Sequence, residues 1–152
     1  MTAACLVSQL LAAAALGLLA GALLAEGALL VPYWRSLTAR EFYRLHPVYG
    51  PMLYAFYAPL TAAVPVLGSV AAAAAHLAGH PGRWLSTAAA LLTWSMLAVY
   101  LVYFRGVNES FRTREVAPSA LAGVLARWAA WHHARSFICV LAFGLALWAM
   151  VA

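Results

Sequence analysis

The chain contains no lysine and no aspartate, and its 4 acidic residues are Glu26, Glu41, Glu109 and Glu115. Every fixed positive side chain is therefore an arginine, and only one acid, Glu26, lies inside an apolar segment. Charged residues occupy 9% of the 152 positions, hydrophobic residues occupy 66%, and the mean hydropathy is +0.88. Water alone does not hold such a chain in solution, which excludes a soluble globular domain. Cysteine is scarce as well, with Cys5 and Cys139 in oppositely running apolar segments at different depths. They are expected to pack as small apolar residues rather than to form a disulfide. The net charge of +5 has neither a stacking platform nor a basic groove beside it, so no nucleic-acid partner is expected.

What is present is long apolar runs. At roughly 20 residues per span, the chain has room for one all-α integral membrane domain, a transmembrane four-helix bundle with short connections. The spans are expected at about 3–31, 51–77, 84–104 and 119–152. The first is too long for a signal-peptide core and has no basic residue ahead of it. The second carries Pro51, Pro59 and Pro65, which imply kinks. The fourth begins at Pro118-Ser119 and meets no breaker before Ala152, so its first third is expected to project from the hydrocarbon. Thr38 and Glu41 form a capping-box pattern, predicting a short interfacial helix between the first two spans that ends at His46 before Pro47.

Arginines are concentrated in two connections. Arg35, Arg40 and Arg44 follow the first span, and Arg105, Arg112, Arg114 and Arg127 follow the third, whereas Arg83 stands alone between the second and third. The positive-inside rule puts the arginine-rich connections in the cytoplasm and both termini outside, in a setting read as a bacterial inner membrane.

The costliest residues sit in Trp131-His132-His133-Ala134-Arg135, at the entrance to the last apolar run. On a helical projection Trp128, His132, Arg135 and Cys139 form one stripe, Trp131 flanks it, and His133 points away. Glu26 and Arg135 lie at comparable depth and are expected to pair. His46 and Asn108 fall at the same face of the membrane. His76 and His80 lie at the opposite face and read as ordinary polar loop residues.

Three segments carry a family likeness: Val31-Pro32-Tyr33-Trp34, Phe104-Arg105-Gly106-Val107-Asn108-Glu109-Ser110-Phe111, and Trp131-His132-His133-Ala134-Arg135-Ser136. With these the chain resembles the anthrone oxygenase-like family of small four-span membrane proteins. Asn108, Trp131 and Arg135 match the family's pattern residue by residue. His132 stands where asparagine is frequent, Gly106 replaces a proline and Phe104 an asparagine.

The resemblance implies oxidation of a flat, electron-rich anthrone to a quinone by O₂. On that reading His132 or His46 is the base, Arg135 and Asn108 hold the oxyanion, and Trp128, Trp131, Tyr49 and Tyr54 wall the substrate beside Glu26. No cofactor is required, although a bound metal or haem is an alternative, with His46, His132 and Glu26 as its ligands; no HxxxH or ExxH spacing relates these three. The expected partners are the lipid bilayer and a hydrophobic small molecule. A further alternative is a non-catalytic accessory or assembly subunit, in a homo-oligomer or larger membrane complex, joined through small-residue faces such as Ala12–Ala15 and Ala71–Ala75.

Overall fold

The computed structural model describes residues 2–152. Four helices follow one another: α1 Ala3–Ser36, α2 Ala39–Leu77, α3 Arg83–Arg112 and α4 Leu121–Val151. Each is long and apolar enough to cross a membrane, and no strand occurs among the described residues. The protein is a helical bundle of integral membrane type.

α1 begins at Thr2, whose hydroxyl accepts from the Cys5 amide at 3.2 Å. α2 begins at the expected capping box: Thr38 accepts from the Glu41 amide, and Glu41 accepts from the Thr38 amide. The helix does not stop at His46, however. The segment expected as a separate interfacial helix is the first two turns of α2, which runs through Pro47, Pro51, Pro59 and Pro65 without a break.

The passage through Pro47 has a local cause. A proline inside a helix removes the hydrogen bond to the carbonyl four residues back, here that of Tyr43. Arg114, in the α3–α4 connection, donates from Nη2 to that carbonyl at 3.3 Å and replaces the missing amide. Arg114 holds a strained backbone to do so, with φ +59. It occupies the left-handed position of a Schellman end to α3, with Arg114 N–H donating to Phe111 O and Glu115 N–H to Ser110 O. The same motif closes α2, where Gly79 (φ +61) takes the equivalent place without strain.

Two apolar clusters make up the interior. Toward the connection between α2 and α3, small residues and leucines pack closely: Ala13, Leu16, Ala20, Val64, Ala89, Ala142 and Ala146. Toward the arginine-rich end the core is aromatic and bulky: Trp34, Phe42, Phe104, Phe111 and Trp128. Ala12, Ala13, Ala71, Ala72 and Ala75 are buried within the bundle and serve helix contacts inside it, while Ala14 and Ala73 of the same runs face outward. At the alanine-rich end Gln9 donates to Ser86 at 3.0 Å, a buried polar tie between α1 and α3. His80 is also buried there, and its Nδ1 accepts from the Gly82 amide at 3.0 Å, so it caps the turn rather than facing solvent as a loop residue. Cys5 and Cys139 are free and buried, in keeping with a packing role.

Two helices change pitch at the aromatic end. α1 takes a π turn at Glu26–Leu30 and α3 another at Tyr100–Phe104. The first lies just before Pro32, which cannot donate to the carbonyl of Ala28, and a wider turn accommodates its ring.

If Arg114 replaces the amide that Pro47 lacks, Arg114→Ala should lower stability by about 0.5–1 kcal/mol, the worth of one partly exposed hydrogen bond. Arg114→Gly should cost less, because glycine relieves the positive φ. Thermal unfolding in detergent, repeated in a Pro47→Ala background that restores the amide, checks the assignment. An equal loss from Arg114→Ala in both backgrounds would show that the arginine has another role.

Candidate functional site

Between the two apolar clusters lies a charged layer. Glu26 (8% exposed) from α1 faces His132 (0%) and Arg135 (8%) from α4. The expected pair is present: Arg135 Nη2 lies 3.7 Å from Glu26 Oε2. His132 Nδ1 is also 3.7 Å from that oxygen, which would suit an imidazolium. The shorter contact decides otherwise. Arg135 Nη2 lies 3.1 Å from His132 Nδ1, and a guanidinium can only donate, so Nδ1 carries the lone pair. The proton is then on Nε2, which donates to the Leu23 carbonyl at 3.0 Å. His132 is a neutral strut between α1 and α4, with both nitrogens engaged.

Gly27 eases the close approach of these helices. A Cβ there would come within 3.3 Å of His132 Nε2 and 3.5 Å of His133 Cε1. The carbonyls just before the first π turn are claimed by other helices: Leu23 O by His132, and Ala22 O by the Tyr57 hydroxyl of α2 at 3.0 Å.

A cavity of about 1060 Å³ opens beside the charged layer, bounded by all four helices. Its polar lining includes Glu26, His46, Tyr54, Tyr57, Asn108 and Arg135, and its walls include Trp34, Phe42, Phe104, Phe111 and Trp128. The π turns set this lining. Glu26 and Trp34 are eight residues apart, as are Tyr100 and Asn108, and all four line the cavity. On a regular helix such a spacing leaves side chains about 80° apart. One wider turn between the members of each pair brings them onto a common face.

Three buried polar atoms at this cavity have no hydrogen-bond partner: Glu26 Oε2, Arg135 Nε and His46 Nδ1. Buried polar atoms are ordinarily satisfied, so their convergence on one cavity makes it the candidate site. His46 is held in an aromatic box, with ring centroids 5.2 Å from Phe42, 5.6 Å from Phe111 and 6.2 Å from Trp34. Gly50 makes room for the ring, since a Cβ there would lie 3.1 Å from His46 Cε1. Asn108 Oδ1 accepts from Trp128 Nε1 at 3.1 Å, leaving the Asn108 amide hydrogens as its remaining polar group. Trp128 stacks on His132 at 5.5 Å and 13°, and Arg135 covers the face of Phe104 at 4.3 Å.

Of the expected site residues, Glu26, His46, Tyr54, Asn108, Trp128 and Arg135 line the cavity. His132 braces it from behind and does not line it. Tyr49 and Trp131 are exposed on the outside of the bundle, where Tyr49 packs edge-on to Trp34 and Trp131 stacks on Tyr103 at 5.2 Å. His133 is exposed, as its place off the stripe predicts. The suggested metal set does not assemble: among the described residues no three His, Cys, Asp or Glu side chains are grouped to hold a metal ion, and the nitrogens of His132 are already bonded. Sequence reasoning missed Tyr57 and Trp34. Tyr57 could have been found as a hydroxyl one turn beyond Tyr54; Trp34 required knowledge of the π turn.

No family model matches this chain, and neither the curated proteins nor the solved structures include one that matches it.

Breaking a buried ion pair strands a charge, at a cost of about 3–5 kcal/mol. Glu26→Gln and Arg135→Met should each destabilise the bundle by that order, and the double variant should recover part of the loss. Chemical denaturation of the four proteins in micelles measures the coupling, and strictly additive losses would contradict the contact.

Proposed function

We propose that the cavity binds a flat, lipophilic phenol or quinone-type molecule taken from the bilayer, and that the protein oxidises an anthrone-like member of that class with O₂. The observation that carries this reading is the convergence of Glu26, Arg135 and His46 on one aromatic-walled cavity, each with a buried polar atom that makes no hydrogen bond: Glu26 Oε2, which has only its 3.7 Å ion-pair contacts, Arg135 Nε and His46 Nδ1. Glu26 and Arg135 offer an acceptor beside a donor. A hydroxyl next to a carbonyl on a ring system complements both at once, with the hydroxyl donating to Glu26 and the carbonyl accepting from Arg135. Its walls are largely apolar, and Tyr54 in the α2 wall is 62% exposed, which suits a ligand arriving through lipid.

In this reading His46, not His132, is the base, because no hydrogen bond engages the His46 ring and His132 has no unengaged nitrogen. His46 takes a proton from the anthrone methylene, and Arg135 holds the negative oxygen of the resulting enolate. The carbanion transfers electrons to O₂ and forms a C–O bond as a hydroperoxide. Loss of the second methylene proton with cleavage of the O–O bond gives the quinone carbonyl and water. One oxygen atom enters the product and the other leaves as water, so the reaction balances without a further reductant.

His46→Ala should reduce O₂-dependent conversion of a dihydroxyanthrone by a factor of about 10²–10⁴, the usual contribution of a general base. His133→Ala should leave it unchanged. Substrate loss and quinone formation followed by absorbance give the answer; equal rates for wild type and His46→Ala would refute the assignment of the base, and no conversion by wild type would refute the activity.

A further inference from the structure

A second concavity, of about 570 Å³, lies at the arginine-rich end, away from the cavity described above. It is lined by Arg40, Tyr43 and Arg44 of α2 together with Arg114 and Pro118 of the α3–α4 connection. Arg40 and Arg44 are one turn apart and share a face of α2. Glu41 attracts Arg44 through space but makes no ion-pair contact with it. Among the described residues, none of the three arginines is within ion-pair distance of an acid: Glu109 is engaged by Arg112, Glu26 by Arg135, and Glu41 by Thr38. Glu115 does not line the concavity.

The fold fixes the backbone around the concavity and the position of Arg114, while Arg40 and Arg44 reach it as exposed side chains from one face of α2. The Tyr43 hydroxyl donates to Val116 O and Arg114 Nη2 donates to Tyr43 O, so two bonds tie the connection to α2. Arg114 holds its position at the cost of a positive φ, which glycine would adopt freely. Its bond to Tyr43 O uses one nitrogen, and the rest of the guanidinium remains available to the concavity.

We propose that this concavity binds the phosphate of an anionic phospholipid. Three guanidiniums around one hollow match a tetrahedral anion bearing several acceptor oxygens. The depth points to lipid as the source. α2 has 39 residues, about 58 Å of helix against roughly 30 Å of hydrocarbon, so with the helix centred on the hydrocarbon Arg44 falls about 6 Å beyond its edge, among the headgroups, and Arg40 about 12 Å beyond it, at their outer margin. Tyr43 between them is a residue type favoured at that level. A bound phosphate bridges α2 to the α3–α4 connection at the same end as the aromatic core.

The test is lipid retention by the full chain, purified in neutral detergent and titrated with phosphatidylglycerol or phosphatidylcholine, with bound lipid counted by native mass spectrometry. Wild type should retain one phosphatidylglycerol in preference to phosphatidylcholine. Arg40→Gln/Arg44→Gln should bind phosphatidylglycerol about 25-fold more weakly, about fivefold per guanidinium. Arg35→Gln/Arg127→Gln removes the same charge outside the concavity and should bind as wild type does. Equal weakening by the two double variants would overturn the site in favour of diffuse attraction. Displacement of the lipid by inorganic phosphate at equal concentration would overturn the lipid as the source. Should Arg40→Gln/Arg44→Gln fail to fold, Arg40→Lys/Arg44→Lys keeps the charge but loses the planar fork, and unchanged binding by it would contradict a geometric site.

Discussion

A carboxylate and a guanidinium buried in the middle of a membrane bundle set the terms for everything around them. Glu26 and Arg135 are each 8% exposed and 3.7 Å apart, too far for a direct hydrogen bond. The cost of burying them is reduced by His132, which accepts from Arg135 on one nitrogen and donates to the α1 backbone on the other. That arrangement fixes the separation of α1 and α4. Gly27 eases the fit, since a Cβ there would lie 3.3 Å from His132 Nε2 and the ring would have to shift by a few tenths of an ångström.

The cavity follows from the same layer. On one side the core is built of alanine and leucine, and the helices approach closely; on the other it is built of tryptophan and phenylalanine, and they cannot. The space that opens lies against the faces of Glu26 and Arg135 left free by His132. A π turn in α1 and another in α3 then bring Trp34 and Asn108 onto the faces already occupied by Glu26 and Tyr100. π turns are a common accompaniment of functional sites because they redirect side chains at the expense of regular hydrogen bonding. Here they gather aromatic walls and polar atoms from elements whose regular pitch would separate them.

Much of the architecture was legible in the sequence. Apolar run length defined four spans, the Thr38–Glu41 box located the start of α2, and the spacing of Trp128, His132, Arg135 and Cys139 gave a stripe whose four members are all buried. The pairing of Glu26 with Arg135 was legible because so few acids compete for it. What failed depended on contacts distant in sequence. Pro47 read as a helix stop because its compensation comes from Arg114, 67 positions later. Trp131 and Tyr49 read as walls because a regular projection cannot show which flank of a stripe faces lipid. His132 read as a base because the sequence does not reveal that the Leu23 carbonyl and Arg135 occupy both its nitrogens.

The protonation of His132 is thus the point on which the site turns, since a neutral ring protonated at Nε2 leaves Glu26 Oε2 and Arg135 Nε for a ligand, whereas an imidazolium would draw Glu26 to itself. Nitrogen-15 NMR of histidine-labelled protein in bilayers, with His132 assigned by comparison with His132→Asn, distinguishes the forms directly. The account predicts one pyrrole-type nitrogen coupled to a proton at Nε2 and one hydrogen-bonded pyridine-type nitrogen at Nδ1. Two protonated nitrogens, or a proton on Nδ1, would contradict it.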